Sequence, residues 1–236
     1  MQDPAALRAR LADVRERIAR AAGRVGRDPS LVRLVAVSKT FGADDVRMAA
    51  DAGQVDFGEN KLQEAVPKME RTGDLPIRWH LIGHLQSNKA KKAGACFDVI
   101  HSVDSPSLGD RLEQAASAAS RRLELLVQVD LAFEPTKHGA REEALAPLFA
   151  AARLWRSARL VGLMLLPPAV EQPEQARPYF QALGSLRQEL LARGVEASML
   201  AELSMGMSHD FEVAIEEGAT LVRVGTAIFG HRTSPL

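Results

Sequence analysis

Lys39 closes the apolar run Leu34-Val35-Ala36-Val37-Ser38-Lys39-Thr40. A lysine at the end of a buried run can lose solvation, keep a fraction of its amine free and attack an aldehyde. The same position also suits an ordinary solvated lysine. Two segments near the C-terminus carry groups that bind phosphate. In Ser204-Met205-Gly206-Met207-Ser208, Gly206 permits close backbone approach and the two serines supply hydroxyl donors. Ser208 reads equally as a helix cap. In Arg223-Val224-Gly225-Thr226, Gly225 allows tight approach and Thr226 offers another donor. His80 and His84 stand four apart in a strand-like run, with no third ligand close in sequence, so no metal site is expected. Ser208-His209-Asp210 spells a triad, but sequence neighbours cannot adopt triad geometry. Met164, Met205 and Met207 read as pocket lining or core.

The elements that must position these residues follow a regular beat. Short β-branched or apolar runs cover 33–39, 55–60, 78–84, 99–103, 123–130, 160–166, 199–204 and 221–229. Between them lie stretches of helical periodicity such as 44–52, 62–71, 107–122 and 174–193. Such alternation predicts a parallel sheet, and eight units predict its closure into a single (β/α)8 TIM barrel of class α/β. An open doubly wound sheet loses its main support because no Gly-x-Gly-x-x-Gly follows the first run. Barrel sites form where strands end, which singles out Lys39, Glu59-Asn60, His84, Ser102 to Asp104, Lys137, Met164, Ser204 to Ser208 and Gly225-Thr226. Loops after the seventh and eighth strands commonly hold phosphate in such barrels.

The chain has 236 residues, a size that suits one domain spanning 1–236, with a helix over about 1–25 packed on the barrel. Thirty basic residues balance thirty acidic ones, so no global charge draws it to nucleic acid or anionic membrane. A single cysteine, Cys96, excludes an internal disulfide and a cysteine-based zinc site. The segment 5–22 alternates Arg with apolar residues and holds Asp13 and Glu16, unlike a signal or transit peptide. No apolar run approaches the roughly 20 residues of a membrane span. A cytoplasmic protein is expected.

In order along the chain, Val35-Ala36-Val37-Ser38-Lys39-Thr40, Phe57-Gly58-Glu59-Asn60 and Trp79-His80-Leu81-Ile82-Gly83-His84-Leu85-Gln86-Ser87-Asn88-Lys89 resemble the pyridoxal phosphate homeostasis protein family, the YggS/PROSC group. Gly162-Leu163-Met164, the segment Leu203 to Ser208 with Asp210, and Val222 to Gly230 continue the match. The resemblance implies a fold-type III barrel for pyridoxal 5′-phosphate (PLP), similar to the N-terminal domain of alanine racemases. It makes Lys39 the Schiff-base lysine. Ser204, Gly225 and Thr226 become the phosphate cradle, helped by the Met205 amide. Arg223 would face the pyridine nitrogen, and Asn60 would lie near the ring. The chain departs from the family at Asp130, where many relatives carry asparagine, just before the loop with Glu134, Lys137 and Gly139.

The resemblance also bears on turnover. A permanently charged arginine leaves the ring nitrogen unprotonated and weakens the cofactor as an electron sink. Alanine racemases compensate with a tyrosine from a second domain. Here the single tyrosine, Tyr179, falls in a helical stretch, and the sequence runs only six residues past Gly230. The expectation is therefore a monomeric carrier that binds PLP, performs no catalysis and delivers the cofactor to apo PLP enzymes. Lys137 is a candidate relay amine, or a solvated loop lysine. The rival readings are a weak PLP-dependent amino-acid racemase and a Schiff-base aldolase acting on a sugar phosphate.

Overall fold

Eight β-branched or apolar runs can bury both faces only if helices cover one side and their own side chains fill the other. The computed structural model, which describes residues 3–131 and 138–230, meets that demand with a closed parallel barrel in sequential strand order. The strands are β1 (Arg33–Val37), β2 (Asp56–Glu59), β3 (Arg78–Leu81), β4 (Val99–Val103), β5 (Leu123–Val129), β6 (Ala158–Leu165), β7 (Glu202–Met207) and β8 (Leu221–Val224). The helices are α1 (Pro4–Arg24), α2 (Ala43–Asp51), α3 (Leu62–Arg71), α4 (Ala90–Cys96), α5 (Pro106–Ala118), α6 (Glu142–Ala152), α7 (Arg177–Ala192), α8 (Phe211–Glu216) and α9 (Thr226–Phe229). The sheet closes where β1 pairs with β8, Val35 opposite Arg223.

Only the fourth strand keeps both expected bounds; most of the others shift by one to three residues at an end, and the seventh and eighth depart most. The seventh begins at Glu202, and the apolar stretch Ala197–Leu200 is a 3-10 turn instead. Gly162 sets this start, because a Cβ there would lie 2.0 Å from the Glu202 carbonyl oxygen. The strand then continues through Gly206, whose φ of +90° lets α8 close on it. A Cβ at Gly206 would meet Ala214 Cβ at 2.6 Å and Phe211 Cα at 2.9 Å. The close approach that this glycine permits is therefore to α8. The eighth strand stops at Val224, since Gly225 turns the chain into α9. There Phe229 stacks on Phe41 with ring centroids 5.2 Å apart.

The main core lies between sheet and helices. Inside the barrel, a small apolar group of Val35, Val99, Leu126, Val161, Met164 and Leu221 shares the space with polar side chains. Helix α1 starts with Asp3, whose carboxylate accepts from the Ala5 amide, and Pro4 at the first helical position. Its buried stripe of Leu7, Leu11, Val14, Ile18 and Ala21 packs against α2, α8 and α9. Ion pairs from Arg17 to Glu212 and from Arg24 to Glu216 rim that contact, but exposed pairs contribute little beside the buried stripe. Leu11 is 1% exposed, so Leu11→Ala should cost about 2–5 kcal/mol in urea unfolding. A loss well under about 1 kcal/mol would mean that the helix does not seal the barrel.

Candidate functional site

Strand ends β1, β2, β3, β7 and β8 converge on a cavity of about 660 Å³. Lys39, Asn60, His84, Ser208, Arg223, Gly225 and Thr226 all line it. Lys39 and Thr40 are exposed at its mouth. Thr40 has φ of +72°, a left-handed conformation that a threonine adopts only when its surroundings enforce it. The turn that contains it is closed by the Phe41 amide donating to the Ser38 carbonyl at 3.0 Å, and a buried polar group lies behind the β1 end. Glu59 Oε1 accepts from Ser38 Oγ at 2.6 Å and from Lys68 Nζ at 2.7 Å, and Lys68 also donates to the Ser38 carbonyl at 2.7 Å. Ser38 is thus held on both side chain and main chain immediately before Lys39. Burial pushes the Glu59 carboxyl up, against the opposing pull of Lys68 and Ser38.

Across the cavity, the Ser208 hydroxyl oxygen accepts from the Gly225 amide at 3.0 Å and from the Ala227 amide at 3.4 Å. The two amides thereby hold the Ser208 oxygen and leave its hydroxyl proton, beside the Thr226 hydroxyl, to donate to an oxyanion at this wall. Ser208 does not cap α8; Asp210 stands at that position and accepts from the Met207 amide at 2.6 Å.

Arg223 forms the floor. It is 2% exposed, donating to Ser204 Oγ at 2.5 Å and to the Leu165 carbonyl at 2.8 Å. Burial lowers its pKa to about 10, with Asp210 opposing, and the guanidinium remains a cation at neutral pH. From Ser204 a file of hydrogen bonds runs through the barrel. Ser204 Oγ lies 2.8 Å from His101 Nδ1, His101 Nε2 lies 2.9 Å from His80 Nδ1, and His80 Nε2 lies 2.8 Å from Asp56 Oδ1. Burial depresses both histidines, His101 well below the usual range with His80 and Arg223 adding to the effect. At Asp56, burial pulls upward, but the His80 hydrogen bond with the charges of Arg33 and Arg78 brings the carboxyl below its ordinary value.

Of the residues singled out in the sequence, Lys39, Asn60, Arg223, Gly225 and Thr226 meet in one cavity. Ser204 and Met205 do not. Successive strand residues point to opposite faces, which turns Ser204 into the barrel against Arg223 and Met205 outward into the helix-side core. Ser208, past the strand end, supplies the hydroxyl at the cavity wall. Glu134 and Lys137 lie outside the described residues. His84 stacks on His138, with centroids 3.6 Å apart, while His80 sits within the barrel. Among the described residues no group of three or more His, Cys, Asp or Glu is arranged for a metal ion. No helix there is long and apolar enough to cross a membrane. The Asp56–His80–His101 file was missed in the sequence. Its signal was the polar residues at inward parity within otherwise apolar strands.

A cavity of about 700 Å³ opens at the opposite barrel end among Arg15, Arg27, Arg33, Asp56 and Glu202. Arg15 and Arg27 donate there to main-chain carbonyls, and Arg33 pairs with Glu202 at 3.0 Å. No lysine, cysteine or histidine among the described residues lines it.

Residues 6–233 match the family model described as alanine racemase, N-terminal domain. The pyridoxal phosphate homeostasis protein of Aquifex aeolicus is 43% identical over 223 residues, covering 94% of this chain and 97% of the relative. That of Pseudomonas aeruginosa is 44% identical over 223 residues, covering 94% of each. Among solved structures, PipY of Synechococcus elongatus PCC7942 with PLP bound is 39% identical and superposes with a TM-score of 0.83, over 95% of this chain and 100% of PipY.

The neutral histidines make stability depend on pH. Unfolded, each titrates near about 6.5, while folded, both lie below that value. Their contribution is therefore complete above about pH 6.5 and is lost as the unfolded chain takes up protons below it. Each adds a slope of about 1.4 kcal/mol per pH unit. His101→Gln should reduce the acid-side slope in urea unfolding by about that amount, and an unchanged slope would contradict neutral burial.

Proposed function

The chain belongs to the pyridoxal phosphate homeostasis protein family, built on the alanine racemase N-terminal domain fold, and from this premise we propose that it binds and carries PLP within the cell. One observation carries the reading. A single cavity is lined by Lys39, by the hydroxyl residues Ser208 and Thr226 beside Gly225, and by the Arg223 cation at its floor. That donor set fits a ligand with an aldehyde, a phosphate and a ring nitrogen. When bound, PLP supplies an aldehyde that an amine captures reversibly and a phosphate dianion that anchors it.

Lys39 would hold the aldehyde carbon as a Schiff base, presented by the Thr40 turn and the Ser38–Glu59–Lys68 group behind it. The hydroxyls of Ser208 and Thr226 would hold the phosphate, with the Ser208 oxygen kept in place by the Gly225 and Ala227 amides. Gly225 suits this wall because a Cβ there would press on Val37, 3.2 Å from its carbonyl oxygen. Asn60 would border the ring, and Arg223 would face the ring nitrogen and, as a cation, keep it unprotonated. The chain therefore retains PLP without turning over amino acids, and releases it to amines of apo PLP enzymes. We place this carrier in the cytoplasm, as a monomer with no nucleic-acid partner.

The visible absorption of the purified protein titrated with PLP tests the reading. Wild type should develop a yellow band that Lys39→Ala lacks. Ser208→Ala should keep the band and weaken PLP binding by about tenfold, the effect of losing one hydrogen bond to a charged group. No band in wild type at any PLP concentration would refute the proposal.

A further inference from the structure

The buried file that ends on Arg223 has only one possible direction. A guanidinium donates and never accepts, so Arg223 must donate to Ser204 Oγ. At the other end the Asp56 carboxylate can only accept, so a neutral His80 donates from Nε2 and leaves Nδ1 bare. A neutral His101 donates to that nitrogen from Nε2, and the bare His101 Nδ1 accepts the Ser204 hydroxyl proton. Both imidazoles are neutral and share one tautomer, and every donor points from the cavity floor toward the far end of the barrel. A buried cation meets a buried anion at opposite ends of this file. Three neutral groups, each both donor and acceptor, lie between them.

We propose that Asp56, His80, His101 and Ser204 are positioning residues for Arg223, fixing the orientation of its guanidinium at the cavity floor and so holding the ring nitrogen of bound PLP unprotonated. This rests on the PLP reading above. None of the four touches the reacting atoms. Ser204 and the Leu165 carbonyl take one N–H from each terminal nitrogen of Arg223, which fixes the plane of the guanidinium against the barrel wall. Without the file, Ser204 Oγ would be free to rotate its own proton toward Arg223 and cease to accept. The file also blocks proton delivery. Reversing its donors would require Asp56 to donate a hydrogen bond, which an ionised carboxylate cannot do. The charged groups that face the file are Arg33 from β1 and Arg78 from β3 at the Asp56 end, with Arg223 and Asp210 at the other.

Two measurements test this, one of them independent of cofactor. In the PLP-free protein, nitrogen-15 NMR of the imidazoles should show His80 and His101 both as neutral Nε2–H tautomers that do not titrate between about pH 6 and 8. A proton on Nδ1 of either ring, or titration in that range, would overturn the proposal. In the PLP-loaded protein, the visible band of wild type should hold its position between about pH 6 and 9. His101→Leu should shift that band or make it titrate, with Lys39 still bonded to PLP. His101→Gln should restore wild-type behaviour, because its amide can donate to His80 and accept from Ser204. Should His101→Leu fail to fold, Ser204→Ala replaces it and should produce the same change. A folded, PLP-binding His101→Leu or Ser204→Ala with the wild-type band and pH profile would also overturn the proposal. If wild type takes up no PLP, the PLP reading fails instead, while the NMR measurement still decides the arrangement of the file.

Discussion

A cation cannot be buried inside a barrel unless its donors are met and its charge is balanced, and Arg223 satisfies both conditions through residues from five strands. Ser204 of β7 and the Leu165 carbonyl of β6 take its N–H groups, and the file continues through His101 of β4 and His80 of β3 to Asp56 of β2. Each link needs its strand in register. A slip by one residue would turn the inward side chain outward and leave a buried donor or acceptor unpaired. The barrel interior is thus specified by polar satisfaction as much as by the small apolar group around Val35 and Met164.

The lysine at the mouth is held by different means. Lys39 is exposed, and the structure constrains its neighbours. Ser38 is tied to Glu59 and Lys68 behind the strand, and Thr40 is kept at positive φ ahead of it. An amine on a fixed backbone but with an open side chain can capture an aldehyde and also surrender it to another amine reaching the mouth. The floor, by comparison, is tied by hydrogen bonds from Arg223 to Ser204 and to the Leu165 carbonyl. That division suits retention and release better than a reaction requiring a second, precisely placed proton donor.

Much of this was legible in the sequence because the pattern is repetitive and strong. Eight apolar runs alternating with helical stretches lead to a closed parallel barrel, and Lys39, Gly225 and Thr226 fall where strands end. The reading was less complete where the end of a strand decides the outcome. Ser204 and Ser208 share the same polar character within five residues, and only the true span of β7 shows that one points inward and the other reaches the cavity. Gly206 looked like room for a phosphate, but it is room for α8. The histidine file was hidden for another reason. His80, His101 and Asp56 are far apart in sequence and become neighbours only when the sheet closes into a barrel.

The claim that this site holds PLP without turning it to catalysis is open to one direct measurement. The PLP-loaded protein is incubated in deuterium oxide with individual amino acids, and loss of the α-hydrogen is followed by proton NMR against free PLP at equal concentration. With Arg223 fixed and charged at the floor, exchange should be no faster than with free PLP for any amino acid. Exchange well above that rate, abolished by Lys39→Ala, would contradict the carrier reading and establish a catalyst.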